Sequence, residues 1–336
     1  MTNNKANTTE AGLQKPKRKG LDLERFALIG VWIVLIIFFG ILLPDTFLTS
    51  ANISNMLGSQ AVLLILALGL LIPMRAGVYD LSVASTMNFS AVIVAIGNVQ
   101  WGLSIWVAVL VAVFAASLVG VVNGFIVVKF GIDPFIVTLG IGTVVVGLTY
   151  WISNARTTVG VDRSLSDFVL AKPFLAIPVD VYYALALCFV VWYIFQYTAF
   201  GQRLLFVGQN PEVARLNGVP VGRTRWTSLI ASAFVAGIAG AVFVGTTGSA
   251  DPTAGQAFLL PAFAAVFLGS TVLSIGRFNA WGTVIAVYFL ATGITGLQLL
   301  GLQQFVQQLF YGGALVIAVV LSKIVRSRSE RQAGAG

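Results

Sequence analysis

Side chains that could do chemistry are scarce in the apolar segments of this chain. It contains no histidine and one cysteine, Cys188, which excludes histidine metal sites, Ser-His-Asp triads, histidine proton relays and a disulfide framework. The carboxylates Asp80, Asp133 and Asp180 lie at the ends of apolar segments. A proton- or sodium-coupled carrier usually keeps a carboxylate or unwound polar backbone near the midplane. We therefore expect no catalytic residue, cofactor or metal site, and we disfavour an ion-coupled carrier.

Uncharged polar side chains inside the apolar segments provide the remaining candidates. Asn88, Asn123, Ser82 and Thr138 have two interpretations: hydrogen bonding between helices, worth about 0.6–2 kcal/mol each, or the lining of a path for a hydroxyl-bearing solute. The path is favoured for the two asparagines and helix–helix bonding for Ser82 and Thr138. Both interpretations stay open for each of these four residues. Asp80 is expected to cap the next helix and to interact with its dipole.

Small residues at a spacing of four mark two further apolar segments. Gly120 and Gly124 form a GxxxG pattern, and Ala236 and Gly240 form a small-xxx-small pattern. Such spacing lets two helix backbones approach closely in a membrane. We predict that these four residues serve helix packing.

The polar segment 200–226 differs from its apolar surroundings, because it carries four arginines and one acidic residue. Asn210 is a good N-cap, Pro211 suits the first helical position, and Glu212 suits the positive end of the helix dipole. Gly218 then predicts the stop. The pattern indicates a helix of roughly two turns standing alone in a charged loop, and such a helix is marginal in water. It either lies on lipid headgroups or binds another subunit.

The composition places these residues in a polytopic membrane protein. Of the 336 residues, 58% are hydrophobic and 10% charged, and the mean hydropathy is +0.93, against roughly 25% charged residues in a soluble domain. We predict an all-α fold with about ten transmembrane helices. Their expected positions are 26–43, 57–74, 81–97, 103–127, 134–153, 179–198, 227–247, 258–275, 280–299 and 304–323. For 258–275 and 280–299, a re-entrant hairpin is the alternative.

The distribution of basic residues predicts the orientation. With both termini cytoplasmic, all of the 20 lysines and arginines except Arg156, Arg163 and Lys172 fall on the cytoplasmic side, as the positive-inside rule requires. Residues 1–25 are expected to form a disordered basic tail and 324–336 a second basic tail, both cytoplasmic. They flank one transmembrane domain, 26–323. The net charge of +8 then reflects membrane topology, and we expect no nucleic-acid partner.

Several motifs resemble the permeases of monosaccharide ABC importers, the ribose/xylose/galactose type. This family carries the segments I-D-L-S-V, N-G, P-F-I-V-T-L-G and L-G-G-x-S-x-x-G-G-R-G-x-x-W-G-T, and an EAA-type loop. This chain contains a stretch similar to each of them. The matching residues are Tyr79-Asp80-Leu81-Ser82-Val83, Asn123-Gly124, Pro134 to Gly140, Leu268-Gly269-Ser270 with Gly276-Arg277 and Trp281-Gly282-Thr283, and Glu212, Ala214 and Gly218. The chain departs from the family at Tyr79, Ala84, Ser270 and Phe278. The resemblance covers about residues 50–323.

The resemblance implies an importer of the bacterial inner membrane with a homodimeric permease core. Its partners would be a tandem-cassette ATPase on the cytoplasmic side, which uses ATP and Mg, and an extracytoplasmic substrate-binding protein. The short helix would be the coupling helix, with Asn210, Pro211, Glu212, Ala214, Arg215, Leu216 and Gly218. The sugar path would include Asp80, Ser82, Asn88, Asn123, Phe135 and Thr138.

An ATPase on a separate polypeptide also agrees with the sequence itself. No GxxxxGK[ST] motif occurs, so this chain carries no Walker A site. Two alternatives to an ABC permease remain at this level: a self-sufficient secondary carrier for a small polar solute, and a membrane scaffold that transports nothing.

Overall fold

The computed structural model describes residues 23–274 and 276–333, and it consists of helices with one small sheet. The basic cluster Lys15, Lys17, Arg18 and Lys19 lies outside the described residues. The elements are α1 (Leu23–Leu42), α2 (Ser50–Ser59), α3 (Ala61–Arg75), α4 (Val83–Val99), α5 (Ile105–Phe130), α6 (Pro134–Ser153), β1 (Thr158–Val159), α7 (Arg163–Leu170), α8 (Val179–Tyr197), α9 (Ala199–Gln209), α10 (Pro211–Leu216), α11 (Val221–Thr247), β2 (Ser249–Ala250), α12 (Gln256–Gly269), α13 (Ala280–Leu299) and α14 (Gln304–Ala333).

Seven helical segments in the described residues are long and apolar enough to cross a membrane, so the chain is a polytopic helical membrane protein. They are Arg25–Leu42, Ser50–Arg75, Ile105–Phe130, Pro134–Ser153, Val179–Tyr197, Val221–Thr247 and Ala280–Leu299. Three shorter apolar helices, Val83–Val99, Gln256–Gly269 and Phe305–Val320, occupy the other predicted positions. The 14 residues of α12 extend about 21 Å, which is less than the roughly 30 Å of a hydrocarbon core.

The centre of the bundle is formed by α3, α4 and α11. Every residue of α3 is buried, and α11 packs against α3, α4 and α5 along its length. In contrast, α1, α5 and α6 expose most of their apolar side chains. An apolar helix that is buried all round belongs to the core of a bundle, whereas one with an apolar outward face suits lipid or another membrane subunit. Several polar residues on these helices, among them Asn88, Ser90, Ser228 and Ser232, are therefore enclosed by protein.

The two ends of the bundle differ. At the end called here the sheet end, β1 pairs with β2 through Thr158 and Ala250. Beside this pair, Asp251 Oδ1 accepts hydrogen bonds from Thr253 Oγ1 (2.6 Å) and the Thr253 amide (2.7 Å), and Oδ2 accepts one from Thr157 Oγ1 (2.8 Å). These donors hold the pKa of Asp251 below its ordinary value. The opposite end, called the α10 end, carries α9 and α10.

The expectation of a helix standing alone in segment 200–226 is wrong. Residues 199–209 form α9, and α11 begins at Val221, so little of the segment is irregular. Thr198 caps α9 by accepting a hydrogen bond from the Gly201 amide at 3.2 Å. Leu204 and Val207 are buried, which means that α9 packs on the bundle with one apolar face. Its short length and amphipathic composition conceal it from a search for membrane spans.

The boundaries of the two predicted tails also differ from the structure. Helix α1 begins at Leu23, inside the predicted tail 1–25, and α14 continues to Ala333, so most of 324–336 is helical. Both helices continue past their apolar stretch, which is the only part that hydropathy detects.

Candidate functional site

The turn between α3 and α4 holds a buried carboxylate. Gly77 has a φ of +72°, a conformation that suits glycine and reverses the chain after α3. Asp80 follows with an exposed fraction of 1%. Its Oδ1 accepts hydrogen bonds from the Ser82 amide at 3.0 Å and from Ser82 Oγ at 2.6 Å. The carboxylate thus fixes the start of α4 from inside the protein.

Two distant helices complete this cluster. Ser232 Oγ of α11 donates to Asp80 Oδ2 at 2.9 Å, and Asn123 Nδ2 of α5 donates to Ser82 Oγ at 2.8 Å. All four side chains are buried. We call Asp80, Ser82, Asn123 and Ser232 the Asp80 network. It ties α5 and α11 to the α3–α4 turn through bonds that become strong where water is excluded.

Helix α6 binds the same turn from another side. Thr138 Oγ1 accepts a hydrogen bond from the Leu81 amide at 3.0 Å and lies 2.8 Å from the Pro134 carbonyl and 3.0 Å from the Tyr79 carbonyl, either of which can accept its proton. Phe135 does not join this cluster, because half of its side chain is exposed on the surface of α6. The structure therefore brings Asp80, Ser82, Asn123 and Thr138 together, and leaves Phe135 apart.

A groove of about 340 Å³ lies beside the Asp80 network, between α4, α6 and the start of α12. We call it the α4–α6 groove. It is lined by Leu81, Ala84, Ser85, Asn88, Leu139, Gly142, Thr143, Val146, Thr149, Pro252, Gly255, Gln256 and Leu259. Asn88 Nδ2 donates to the Pro252 carbonyl at 2.7 Å, while its Oδ1 is buried without a partner in the described residues. Asn88 thus offers a free acceptor at the groove.

Ser232 is the member of the network that sequence reasoning missed. A signal for it was available, because Ser228, Ser232, Ala236 and Gly240 recur every four residues and share one face of α11. That face is buried along its length. A polar residue on a face of small residues points into a close helix contact, where it can reach a carboxylate on the neighbouring chain segment.

The small residues that were predicted to pack helices lie at close approaches. A Cβ on Gly120 would be 2.6 Å from the Leu229 carbonyl oxygen, so α5 and α11 nearly touch there. A Cβ on Gly240 would meet backbone atoms of α4, including the Ala91 nitrogen at 2.9 Å. Gly124 faces the ring of Trp226 on α11, and Ala236 is fully buried.

Helix α10 is a short capped helix with an exposed outer face. Asn210 Oδ1 accepts hydrogen bonds from the amides of Glu212 and Val213, each at 3.1 Å. Arg215 and Glu212 form an exposed ion pair at 3.3 Å, which contributes little to stability. Ala214 is buried against the protein. Leu216, by contrast, has an exposed fraction of 87%. A large apolar side chain is therefore exposed on the same short helix as the charged side chains of Glu212 and Arg215.

Through α9, α10 is connected to the α3–α4 turn. Gly208 of α9 lies so close to the backbone of Arg75 and Gly77 that any Cβ would collide with the Arg75 carbonyl oxygen. The guanidinium of Arg75 lies over the ring of Phe195 at 4.3 Å and donates to the carbonyls of Phe195 (3.3 Å) and Phe278 (3.2 Å). A shift of α9 towards α3 would therefore displace the backbone that leads to Asp80, because the two are in direct contact.

A family model described as "Branched-chain amino acid transport system / permease component" matches residues 52–319. The chain is 34% identical over 86% of its length to the ribose import permease protein RbsC of Bacillus subtilis, of which 90% is covered. It is 27% identical over 94% of its length to the D-allose transport system permease protein AlsC of Escherichia coli, of which 97% is covered. It is 28% identical over 90% of its length to the galactose/methyl galactoside import permease protein MglC of Salmonella typhimurium, of which 95% is covered.

No solved structure matches the chain. The matched family model spans most of the apolar helices, including the Asp80 network, the α4–α6 groove and α10. The chain belongs to the family of branched-chain amino acid transport system permease components, and it is a multi-pass permease subunit of an ABC importer in the bacterial inner membrane.

Proposed function

We propose that this permease forms the membrane path for a monosaccharide or a similar polyol. The observation that carries the proposal is the lining of the α4–α6 groove, in which every residue is uncharged. Ser85, Asn88, Thr143, Thr149 and Gln256 supply hydroxyl and amide groups. These groups both donate and accept hydrogen bonds, so they match a neutral solute that carries several hydroxyls.

The named relatives support the same solute class, because their names specify ribose, D-allose and galactose. The family description instead names branched-chain amino acids. An amino acid is a zwitterion, and its two charges would need charged partners or costly desolvation in a groove that offers neither an anion nor a cation. The relatives also favour an ABC permease over a secondary carrier, since their names describe import permeases.

The energy source in this proposal is a separate tandem-cassette ATPase that binds α10. Leu216 supports this interaction, because an exposed leucine flanked by Glu212 and Arg215 resembles an apolar anchor with a polar rim. Asn210, Pro211 and Gly218 define the ends of the helix, and Ala214 seats it on the bundle. ATP and Mg²⁺ would be used by the ATPase, and none by this chain.

The orientation in this proposal has both termini in the cytoplasm, ten membrane crossings and α10 on the cytoplasmic side. In support, Arg75 lies near α9, the Arg25 carbonyl accepts a hydrogen bond from Leu273 at 3.2 Å, and Lys129 ends α5 next to the start of α11. These basic residues gather at the α10 end. Arg156 and Arg163 flank β1 at the sheet end, where a substrate-binding protein would dock.

A second copy of the permease would complete the membrane core. Gly140 and Gly147 of α6 have nothing near the position of a side chain, and Thr143 is exposed on the same face. Thr143 also lines the α4–α6 groove. A second copy packed against this face would cover the groove's open side and place two polar grooves around one path.

In the proposed cycle, the loaded binding protein docks at the sheet end and the ATPase closes at the α10 end. ATP binds the closed ATPase more tightly, and this difference shifts the permease between outward-open and inward-open states. The contact of Gly208 with Arg75 would carry the movement of α10 to the Asp80 network. The network would then move α5, α6 and α11 together.

The proposal is tested by uptake of radiolabelled sugars into proteoliposomes that contain the permease, its ATPase and its binding protein. We expect ATP-dependent accumulation of a sugar and none of leucine; accumulation driven by a proton or sodium gradient without the ATPase would contradict it. The triple variant Glu212→Ala, Arg215→Ala and Leu216→Ala should insert normally and fail to co-purify the ATPase. A matched control is Val159→Ala, which truncates an exposed side chain at the sheet end.

A further inference from the structure

A second and larger cavity lies near the sheet end, apart from the α4–α6 groove. Its volume is about 550 Å³, and it is lined by residues of α2, the end of α7, the start of α8, the end of α11 and the start of α12. We call it the Asp180 cavity. Its lining residues include Ser54, Asn55, Ser59, Lys172, Asp180, Phe243, Thr246, Thr247 and Phe258. The volume is in the range of small-molecule binding pockets.

Asp180 is a buried carboxylate with an unused acceptor. The residue has an exposed fraction of 0% and lies in the first turn of α8. Its Oδ1 accepts a hydrogen bond from the Val181 amide at 2.8 Å, whereas Oδ2 has no partner in the described residues.

A buried carboxylate oxygen that lies beside a cavity without a partner needs an explanation, since buried polar atoms are almost always hydrogen-bonded. A single ordered water occupies about 30 Å³, which is a small part of the 550 Å³ that is present. A metal ion is disfavoured, because the described residues contain no group of three or more His, Cys, Asp or Glu side chains that could hold one. The ammonium of Lys172 on the same cavity would also repel a cation.

The chemistry of the walls selects a neutral, hydroxyl-rich ligand. Asp180 can accept from hydroxyls, Lys172 can donate to them, and Asn55 can do both. Together the carboxylate and the ammonium leave the cavity without net charge. Phe243 and Phe258 pack edge to face at 5.6 Å and give an apolar surface for the C–H face of a ring. The polar side chains and the two aromatic rings together give a few oriented polar groups on an aromatic wall, which is the usual composition of a small-molecule site.

We propose that the Asp180 cavity is a second binding site for a monosaccharide or polyol, held within one permease and entered from the sheet end. Asp180, Lys172 and Asn55 bind the solute's hydroxyl groups. The site rests on the proposed function, and it adds a stage before the α4–α6 groove. Phe258 lines the Asp180 cavity and Leu259 lines the groove, so the start of α12 is the wall between the two.

The test uses protection of an introduced cysteine in the assembled importer in lipid nanodiscs. Cys188 is the single cysteine of the chain and is buried, so Ser59→Cys places one accessible thiol at the rim of the cavity. Maleimide labelling is followed with D-ribose, D-allose, D-galactose or L-leucine present. The control is Ser164→Cys, an exposed position at the start of α7 at the same end, which is not among the lining residues of the cavity.

We expect a sugar to slow labelling of Ser59→Cys and to leave Ser164→Cys unaffected. Adding Asp180→Asn, which keeps the shape of the side chain, should raise the half-protecting sugar concentration about tenfold, because a hydrogen bond to a charged group is lost. Adding Lys172→Met, which removes the ammonium donor of an exposed lining residue and keeps the length of the side chain, should weaken protection while the thermal midpoint is maintained.

Three results would overturn the site: no protection by any sugar, protection by leucine alone, or unchanged sugar protection in Asp180→Asn. Sugar uptake measured on the same preparation separates this outcome from failure of the proposed function. Sugar uptake without protection of the thiol would contradict the Asp180 site alone. Absence of ATP-dependent sugar uptake would contradict the proposed function on which the site rests.

Discussion

Ser232 Oγ donates a 2.9 Å hydrogen bond to Asp80 Oδ2 and thereby joins the middle of α11 to the turn between α3 and α4. Asp80 also accepts from the Ser82 amide and hydroxyl, so the carboxylate satisfies three donors at once. Because Asp80 and Ser232 are buried, removal of either partner leaves the other unsatisfied where water cannot replace it. Because of this bond, α11 and the α3–α4 turn at the centre of the bundle are expected to move as one unit.

Replacement of Asp80 should therefore be costly. Asp80→Ala leaves the hydroxyls of Ser82 and Ser232 without their acceptor, and we expect about 2–4 kcal/mol of destabilisation. The measurement is the thermal midpoint of the purified permease. Asp80→Asn should cost less, because its amide oxygen still accepts one bond. Asp45→Ala, at an exposed position, is the control, and equal midpoints for Asp80→Ala and Asp45→Ala would contradict the role of the network.

Substitution of Gly208 should uncouple transport from ATP hydrolysis. A Cβ there collides with the Arg75 carbonyl, so Gly208→Ala must push α9 from the α3–α4 turn, at about 1–3 kcal/mol. We expect the number of solute molecules imported per ATP to fall several-fold in proteoliposomes while the ATPase stays bound. Gly30→Ala on α1, with open space at its Cβ, serves as the control. Unchanged coupling in Gly208→Ala would exclude this contact as a transmission point.

Removal of the cap of α10 should weaken ATPase binding. Asn210→Ala loses two hydrogen bonds to the amides of Glu212 and Val213, at about 1 kcal/mol, which corresponds to roughly a fivefold lower affinity. Titration of the ATPase against permease in nanodiscs measures this change. Asn210→Asp retains the acceptor and should restore the affinity. A loss in both variants would show that the amide itself, rather than the cap, contacts the ATPase.

The sheet end should weaken in acid. Since the pKa of folded Asp251 is lowered by Thr253 and Thr157, its stabilising contribution is present at neutral pH. That contribution is lost as the pH falls below the ordinary aspartate value of about 3.9 and through the lower folded pKa. Asp251→Asn should therefore lower the thermal midpoint at pH 7, and this difference should shrink steadily as the pH falls below about 3.9. A midpoint difference that persists at low pH would show that the carboxylate charge is not the cause.

Local patterns were sufficient for much of this protein. The apolar runs that predicted membrane helices coincide with helices, because hydropathy reports a property of each segment by itself. The sequence Asn210-Pro211-Glu212 also predicted the start of α10, because a helix cap acts within one turn. Helix α9 was missed for the same reason: a helix stabilised by packing of Leu204 and Val207 on its neighbours shows no strong local signal.

Composition and hydropathy alone establish a polytopic helical protein, the order of its apolar segments, a bias of basic residues towards one side, and the polar residues available inside it. Which of those residues meet depends on the packing of the helices. The bond between Asp80 and Ser232 spans 152 positions, and the lining of the Asp180 cavity comes from α2, α8, α11 and α12. Such contacts depend on how each helix is rotated and shifted against its neighbours. That arrangement is set by close packing of small residues such as Gly120 and Gly240, which hydropathy does not measure.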